Sequence, residues 1–476
     1  MILENAPHTK VVWSFSSRVL DEALAKRIAD QKVSAIRLAF HGDAEGRIPK
    51  FIEQFRNAHD PSKGDQASII VDLSDGSRAQ LTGLKEPTEI QFKDVVTMSP
   101  ESSKSQTKFK VSVRYWDGLF REGAMVYMGY GHVVMKVLKV AKDLVELEVI
   151  QGGTILPSME IHIPETRVRR SLDSLDDKEL QKICDLHVEY IVLPGIADGE
   201  EINKFRVRLQ KMTKDMPWLI LRIDSMDVYK KLDTLLPLVE GILISRREMA
   251  LTVNPAIIPM ITKEINQIAD DHAKIVLTAS EMLGSMRRGA TPTRAEVSDI
   301  ANAIHDGSDA LVLSEEVAHG PFAVQALGVI DRIILDTEKP TSSELNWMKL
   351  SPTIESIMDA VAYHAYRTAE RVGAKAIVCV TRGGNTALKL ASFRAPVPVI
   401  AVTFDKRVAK KLSLARGVQP LVLQVDPNFG EVLTEVNDQL IRQSWLKAGD
   451  KIIFVSITIS SVSAKGSNLF TVQRLQ

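Results

Sequence analysis

The sequence predicts an α/β protein whose largest part is a (β/α)8 barrel of the TIM type. Eight short apolar runs recur along the chain, and most are separated by segments in which apolar residues return every three or four positions. Strand and helix alternating in this way indicate parallel strands joined by right-handed crossovers. Eight such units are the number that closes a barrel, and a long doubly wound sheet is the competing prediction. The predicted strands begin at Lys10, Ala35, Ser68, Tyr190, Leu219, Gly241, Lys274 and Ala310.

One interval between these runs is too long for a crossover. The third run ends near Leu73 and the fourth begins near Tyr190, and alternating segments such as KFKVSVRYW and LVELEVI lie between them. We therefore predict a β-rich, barrel-like domain inserted over residues 85–165, between a first barrel segment at 1–84 and a second at 166–350. After a polar, proline-containing linker, further apolar runs alternate with helical segments, which predicts a separate C-terminal α/β domain over 351–476.

The composition argues against several classes of protein. The 476 residues include 60 basic and 60 acidic side chains, so no net charge favours nucleic acid or an anionic membrane as a partner. No apolar run approaches the roughly 20 residues that span a bilayer, and the opening MILENAPHTK lacks the pattern of a signal peptide. We expect a cytoplasmic protein that binds neither nucleic acid nor membrane. The two cysteines, Cys184 and Cys379, lack metal-ligand spacing and are expected to be buried thiols.

Charged residues stand at the ends of several predicted strands. The run WLILRIDS, residues 218–225, ends in Arg222 and Asp224, which point the same way because side chains alternate along a strand. In a barrel the active site lies at the carboxyl ends of the strands. Carboxylates beside arginines there suit a hard divalent metal that holds an anionic or phosphorylated substrate, or alternatively a set of ion pairs that plugs the barrel mouth. The other candidates are Arg37, Asp72, Arg246, Arg247, Glu248, Thr278, Ser280, Glu315 and Glu316.

The stretch that begins KIVLTASEML at Lys274 resembles pyruvate kinase. It follows the family signature PTRAE…DVAN…DG.DA.MLS.E.A.G closely. The resemblance also covers the opening TKVVWSF, the position and length of the inserted domain, and the late segments VTRGGNTA and KGSN. It therefore spans nearly the whole chain and implies the fold predicted above. The matching signature residues are Pro292 to Glu296, Asp299 to Asn302, Asp306, Gly307, Asp309, Ala310, Leu313 to Glu315, Ala318 and Gly320.

The resemblance also implies a reaction. Pyruvate kinases, enzymes of glycolysis, move a phosphoryl group from phosphoenolpyruvate to ADP with Mg²⁺ and usually K⁺, largely by positioning and charge neutralisation. Where the family has KIE, with a lysine that balances the transferring group and a glutamate that binds metal, this chain has Arg222, Ile223 and Asp224. Where the family has ARGDLG, whose aspartate is the second metal ligand, Arg247 replaces the glycine and Glu248 the aspartate. The implied site has Arg222, Ser280 and Arg37 as catalytic residues, Asp224 and Glu248 as metal ligands, and Arg247, Asp72 and Ala279 as substrate-binding residues.

Several other positions depart from the family motifs. The asparagine of RLNFSHG, which binds K⁺ together with the serine, is Ala39 here, and the threonine after the aspartate of DTKGPEIRTG is Leu73. On the fourth strand, SF has become Pro194 and Gly195. One metal ligand has lost a methylene and the other has gained one, whereas Mg²⁺ tolerates little error around roughly 2.1 Å. We expect Mg²⁺ or Mn²⁺ to be used if the protein is active, and K⁺ not to be used.

The C-terminal domain carries a second candidate site. The segment TRGGNTA follows an apolar run, and its backbone amides could open a helix toward a phosphate. In the family the matching segment helps to hold a phosphorylated effector. The resemblance therefore makes Thr381, Gly383, Gly384, Asn385 and Thr386 candidate effector-binding residues.

Three hypotheses remain open. The first is a pyruvate kinase homologue whose activity is lost or strongly altered, because Arg222, Asp224, Arg247 and Glu248 all depart from the family motifs. The second is an active, divergent, K⁺-independent enzyme that binds phosphoenolpyruvate and ADP or ATP. The third is a regulatory or structural subunit of a pyruvate kinase-like assembly. The retained signature, which in the family builds the last barrel units and a subunit interface, predicts a homo-oligomer, either a dimer or a tetramer.

Overall fold

The strands of the protein follow the order that the sequence predicts for a barrel, an insertion and a second α/β domain. The computed structural model describes all residues except 1–6, 17–19, 30, 32, 41–45, 59–66, 74–78, 106, 114–115, 130, 158, 165–171, 173–174, 280–281, 314–319, 340–355, 424–428, 458–467 and 476. The strands are β1 (Lys10–Ser16), β2 (Ala35–Ala39), β3 (Ser68–Asp72), β4 (Ala79–Thr82), β5 (Thr88–Ile90), β6 (Val95–Pro100), β7 (Phe109–Ser112), β8 (Met125–Met128), β9 (Val133–Ala141), β10 (Leu144–Gln151), β11 (Gly153–Ile155), β12 (Glu160–His162), β13 (Tyr190–Leu193), β14 (Trp218–Ile223), β15 (Gly241–Ser245), β16 (Ile275–Ala279), β17 (Ala310–Leu313), β18 (Ala376–Val380), β19 (Val399–Thr403), β20 (Val418–Val422), β21 (Lys451–Ile457) and β22 (Asn468–Arg474).

Helices alternate with the strands of both α/β parts. Three helices of the large barrel begin after residues typical of helix starts, Asp176, Asp198 and Thr293, whose side chains accept bonds from amides of the first turn. The helices are α1 (Glu22–Ala29), α2 (Arg47–Ala58), α3 (Asp177–Asp185), α4 (Gly199–Met212), α5 (Met226–Tyr229), α6 (Leu232–Leu235), α7 (Arg246–Met249), α8 (Ile258–Asp271), α9 (Arg294–Asp306), α10 (Ala323–Glu338), α11 (Ile357–Val372), α12 (Asn385–Ser392), α13 (Lys406–Leu412) and α14 (Phe429–Arg442).

The eight predicted strands close into a parallel barrel. Their order around it is β1-β17-β16-β15-β14-β13-β3-β2, so the first strand pairs with the last and the ring has no edge. The predicted (β/α)8 barrel is confirmed, and the competing doubly wound sheet is excluded by this closure.

Alternation along the barrel strands decides which side chains face the interior. Ala35, Ile70 and Ile220 belong to an apolar cluster inside the barrel, while the residues between such positions belong to another cluster beneath the surrounding helices. Two residues after each of these three positions stands a charged residue: Arg37 after Ala35, Asp72 after Ile70 and Arg222 after Ile220. The interior is therefore apolar until its last layer, at the carboxyl ends of the strands, where it becomes charged.

The segment between β3 and β13 forms the predicted β-rich insertion. Seven of its strands close into a second barrel in the order β10-β6-β7-β4-β12-β8-β9, and β5 and β11 pair separately. Strand β4, which precedes residue 85, pairs with β7 and β12. The second sheet therefore begins at Ala79.

The C-terminal domain packs against the amino-terminal end of the large barrel. Its sheet has the order β20-β19-β18-β21-β22, with β22 antiparallel to β21. The Ser68 hydroxyl donates to the Lys410 carbonyl over 2.6 Å, and the Tyr190 hydroxyl donates to the Lys411 carbonyl. Because Ser68 and Tyr190 are the first residues of their strands, this domain covers the end opposite the barrel mouth.

Both cysteines are buried and free of disulfides, as the sequence predicts. Burial raises the pKa of the Cys379 thiol to about 12, so it stays protonated and unreactive at neutral pH. None of the helices in the part of the chain that the structure describes is long and apolar enough to cross a membrane.

Candidate active site at the barrel mouth

A buried carboxylate joins two arginines at the mouth of the large barrel. Arg37 Nε donates to Asp72 Oδ2 over 2.7 Å, Arg37 Nη2 bonds the same oxygen, and Arg222 Nη2 donates to it over 3.0 Å. The Ser14 hydroxyl accepts a further bond from Arg37 Nη1 over 3.3 Å. Asp72 is 0% exposed and Arg222 is 4% exposed. Two guanidinium groups thus lie at the mouth beside one fully buried carboxylate, and guanidinium groups are donors that bind carboxylate and phosphate anions well.

A second carboxylate lies on the other side of Arg222. Arg222 Nη1 lies 3.8 Å from Glu248 Oε1. Burial raises the pKa of Asp224, the positive charge of Arg222 lowers it, and the negative charge of Glu248 raises it, with a net rise above the usual range. Asp224 and Glu248 are thus close enough for each charge to act on the other carboxylate.

The residues after β15 leave the strand direction through a single helical turn, α7. Arg246 anchors this turn, because its Nη1 and Nη2 atoms each donate over 2.7 Å to a different oxygen of Asp299 in α9. A bidentate pair of this kind fixes orientation as well as distance. Arg247 and Glu248 are half-buried on the anchored turn, so strand alternation does not predict their directions.

The carboxylates at the mouth fit a divalent cation. Asp224 and Glu248 offer hard oxygen donors from neighbouring strand ends, and their mutual repulsion is the condition that a bound cation relieves. Mg²⁺ is commonly held by one or two carboxylates, with waters and substrate phosphates as its remaining ligands. Across the described ranges, no cluster of three or more His, Cys, Asp or Glu side chains could hold a metal, so substrate or water would have to supply further ligands.

The remaining sequence candidates fall into three groups. Ala279 ends β16 and is half-buried beside the interior cluster, at the same end of the barrel as Asp72. Thr278 was wrongly placed at the mouth: Leu277 and Ala279 face the interior, so Thr278 points the other way, and its hydroxyl pairs with that of Ser308 over 2.6 Å. Ser280, Glu315 and Glu316 lie outside the described residues.

The candidate effector segment forms a tight turn before α12. Gly384 has a φ of 97°, and its amide donates to the Thr381 hydroxyl over 2.9 Å. A Cβ on Gly384 would lie 3.1 Å from the Trp218 ring, so this side of the turn is packed against the start of β14. Gly383 and Asn385 are exposed, whereas Thr381 and Thr386 are buried. One amide of the turn is therefore already bonded within it, and effector binding stays a prediction. The late loop at 458–467 lies outside the described residues.

Two residues of the mouth were not among the sequence candidates. Ser14 follows the interior residue Val12 by two positions, so the alternation that found Arg37 and Asp72 would have found it too. Gly195 lies against the Asp224 carboxylate. Nothing in the sequence signals that contact, because a glycine after a strand is ordinary turn chemistry.

Two family profiles cover most of the chain. The profile described as pyruvate kinase, barrel domain, matches residues 6–327. The profile described as pyruvate kinase, alpha/beta domain, matches residues 359–473. The chain belongs to the pyruvate kinase family. The resemblance that the signature residues carry is thereby confirmed.

Relatives within the pyruvate kinase family match along nearly the whole chain. The pyruvate kinase of Clostridium perfringens is 26% identical over 477 residues, covering 98% of this chain and 99% of that protein. The plastidial pyruvate kinase 2 of Arabidopsis thaliana is 26% identical over 454 residues, covering 94% of this chain and 77% of that protein. A solved structure, Cryptosporidium parvum pyruvate kinase in complex with ADP, matches with a TM-score of 0.82 and 24% identity, covering 99% of this chain and 96% of that chain. Since one relative is plastidial, family membership leaves the cytoplasmic location a prediction.

Proposed function

We propose that the barrel mouth binds a phosphate-bearing anion together with a divalent cation, and that phosphoryl transfer from phosphoenolpyruvate to ADP is lost or strongly reduced. The observation that supports this proposal is the bonding of Arg222 to the buried Asp72, 3.0 Å away. Arg222 stands where the family motif has the lysine that balances the transferring phosphoryl group. Its positive charge is already paired with the Asp72 carboxylate in the absence of substrate.

An arginine at position 222 behaves very differently from the lysine of the family motif because the two side chains bond with different geometry. A lysine is a compact charge on a flexible stem, whereas a guanidinium is planar and bonds in a fixed fork. Arg222 lies between Asp72 at 3.0 Å and Glu248 at 3.8 Å, so it would have to leave both carboxylates to follow a moving phosphoryl group. Phosphoryl transfer depends on positioning, and a misplacement of about 1 Å can cost on the order of a hundredfold in rate.

The same residues suit binding. Asp224 and Glu248 would hold Mg²⁺ or Mn²⁺, which neutralises phosphate charge and orients phosphate oxygens when bound. Arg37 and Arg222 supply fixed positive charge beside it, and we assign Arg247 and Ala279 to the lining of the anion site. The catalytic role that the resemblance implies for Ser280 stays a prediction. The family's K⁺ is not expected, since Ala39 and Leu73 offer no side-chain oxygen and Asp72 already accepts from two guanidinium groups.

Pyruvate formation from phosphoenolpyruvate and ADP tests the proposal. It should be measured with Mg²⁺ and with Mn²⁺, with and without K⁺, beside the Clostridium perfringens relative as the active control. We expect turnover to be lower than that of the control by about a hundredfold or more, while calorimetry still detects phosphoenolpyruvate binding in the presence of Mn²⁺. Turnover within about a hundredfold of the control would overturn the proposed loss of activity.

A second candidate function is an active, K⁺-independent pyruvate kinase. It is favoured by the two guanidinium groups on Asp72, which place fixed positive charge in the mouth without a monovalent ion. In that case turnover would approach the control and be the same with and without K⁺. The hypothesis of a regulatory subunit stays a prediction.

We also propose that the chain self-associates through the large barrel. Ile257 and Met260, at the start of α8, are 43% and 73% exposed. Helix α8 packs beside α9, which carries part of the retained signature. Exposed large apolar side chains next to such a segment suit a subunit contact in a dimer or tetramer.

A further inference from the structure

The Asp224 carboxylate lies directly on the backbone of Gly195. A Cβ built on Gly195 would lie 2.0 Å from Asp224 Oδ1, 2.6 Å from its Cγ and 2.7 Å from its Oδ2. All three atoms of the carboxyl group thus occupy the space in which any other residue would place its side chain. The corresponding distances at two other tightly packed glycines, Gly152 and Gly241, are longer, at 2.6 and 2.8 Å.

The requirement at Gly195 concerns space and not backbone conformation. Gly195 is absent from the glycines with positive φ, so its backbone is one that other residues adopt without strain. Gly195 follows β13, which pairs in parallel with β14 so that Leu193 lies opposite Leu221. Gly195 and Asp224 therefore leave adjacent strand ends side by side, and the absent side chain of one makes room for the carboxylate of the other.

We propose that Gly195 is the positioning residue of Asp224, setting where its carboxylate stands relative to Glu248, with which it would hold the divalent cation. The inference rests on the proposed function, because it concerns the cation that the two carboxylates would hold. Two departures from the family motifs, the glycine on the fourth strand and the aspartate on the fifth, then form one physical unit. The shorter carboxylate is seated on the strand end that has lost its side chain.

Filling the space at Gly195 would displace the carboxylate. A carbon and a carboxylate oxygen need a separation of about 3.0 Å or more, so a methyl group at Gly195 must push Oδ1 away by about 1 Å or rotate the group entirely. Groups that orient metal ligands typically change metal affinity by about 10- to 100-fold when they are altered. The alanine substitution should therefore weaken cation binding without removing either ligand.

The test is Mn²⁺ affinity, measured by electron paramagnetic resonance on the full chain without substrate. We expect Gly195→Ala to weaken Mn²⁺ binding by about 10-fold or more, comparably to Asp224→Asn. Gly289→Ala is the matched control, because a Cβ on Gly289 has nothing within 4 Å, and its Mn²⁺ affinity should equal that of the wild type. Wild-type affinity in Gly195→Ala would overturn the inference and leave the proposed function standing. Failure of the wild-type protein to bind Mn²⁺ would overturn the metal site and the inference together.

A second variant keeps the inference testable if Gly195→Ala does not fold. Combining Gly195→Ala with Asp224→Ala removes the carboxylate that the new methyl group would strike. We expect the double variant to recover the thermal midpoint of Asp224→Ala alone, because the steric conflict is gone. A double variant as unstable as Gly195→Ala would show that the methyl group strikes something else, and the positioning role would be wrong.

Discussion

Asp72 ties the two arginines of the mouth together through one oxygen atom, Oδ2. Without the carboxylate, Arg37 and Arg222 would bring two positive charges together where little water reaches them. A buried charge that loses its partner costs far more than the pair contributes while it is intact. Asp72 therefore stabilises the fold as well as shaping the site.

Replacing Asp72 with asparagine should destabilise the protein by about 3 kcal/mol or more, because Arg37 and Arg222 would lose the buried carboxylate that they share. Urea unfolding followed by circular dichroism measures the change. The same substitution at Asp336, which pairs with Lys339 on the surface at 60% and 70% exposure, is the control and should change stability little. A loss at Asp72 no larger than at Asp336 would contradict this account of the mouth.

Strand alternation predicts single residues well wherever the strand is regular. Alternation predicts that Arg37, Asp72 and Arg222 lie at the mouth. Applied strictly, it would also have placed Ser14 at the mouth and excluded Thr278 from it. It could not predict Glu248, which stands on the helical turn α7, or the contact of Gly195 with Asp224. Those depend on how two chain segments approach each other after their strands have ended.

At the scale of whole elements, residues of the family signature hold α9 to the loop before it and to the turn α7. Thr293 and Glu296 form a capping box at the start of α9, and Glu296 Oε1 also accepts from the Ser285 amide over 2.7 Å. Asp299, on the same helix, holds Arg246 and with it the turn α7. The signature thus fixes how the last barrel units join, and its presence says more about the fold than about the reaction.

Two substitutions at the start of α9 distinguish the contribution of the N-cap from that of the hydrogen bonds between Glu296 and Ser285 in the preceding loop. Thr293→Ala should cost about 1 kcal/mol, as the loss of an N-cap does. Glu296→Ala should cost about 2–3 kcal/mol, because the bonds from Ser285 are lost as well. Thr293→Ser keeps the hydroxyl and serves as the control in urea unfolding. Equal losses for Thr293→Ala and Glu296→Ala would show that the bonds to Ser285 contribute nothing.

The sequence predicts the elements of the barrel better than those at the edges of the sheets. All eight barrel strands were predicted, because strands buried on both faces are continuous apolar runs. Strand β22 was missed. It is an edge strand, and Thr471, Val472 and Arg474 are exposed, so its sequence carries little apolar signal. Its position depends on pairing with β21, which no local pattern shows.

At the scale of the whole molecule, a half-buried group of charges joins the barrel base to the C-terminal domain. Glu338, at the end of α10, accepts bonds from the amides of His8 and Thr9 over 2.7 and 2.8 Å, and lies 3.3 Å from Arg416 Nη2. The amide of Gly417 in turn donates to the His8 carbonyl over 2.9 Å. The chain before β1, the last helix of the barrel and the C-terminal domain therefore meet at one place.

Burial and charge hold His8 neutral in this group. Burial lowers its pKa most, Arg416 and Lys10 lower it further, and Glu338 raises it, so that the pKa falls from 6.5 to about 4. Between those values the unfolded chain binds a proton that the folded protein does not, and stability must fall as the pH falls. Burial raises the pKa of Asp309 to about 6, which acts in the opposite direction over an overlapping range.

His8→Gln isolates the pH dependence that His8 contributes. Asp309 is present in both wild type and variant, so its contribution cancels when their free energies of unfolding are compared. Each pH unit between 6.5 and 4 changes the contribution of His8 by about 1.4 kcal/mol, so wild type should lose about 2 kcal/mol relative to the variant between pH 7 and pH 5. Urea unfolding at the two pH values measures this difference. The control is the same substitution at His305, which is exposed on α9. Its free energy of unfolding should differ from that of wild type by the same amount at pH 7 and at pH 5. If His8→Gln behaves like His305→Gln, the histidine is protonated in the folded protein at pH 5. The domain junction would then be open to water at His8.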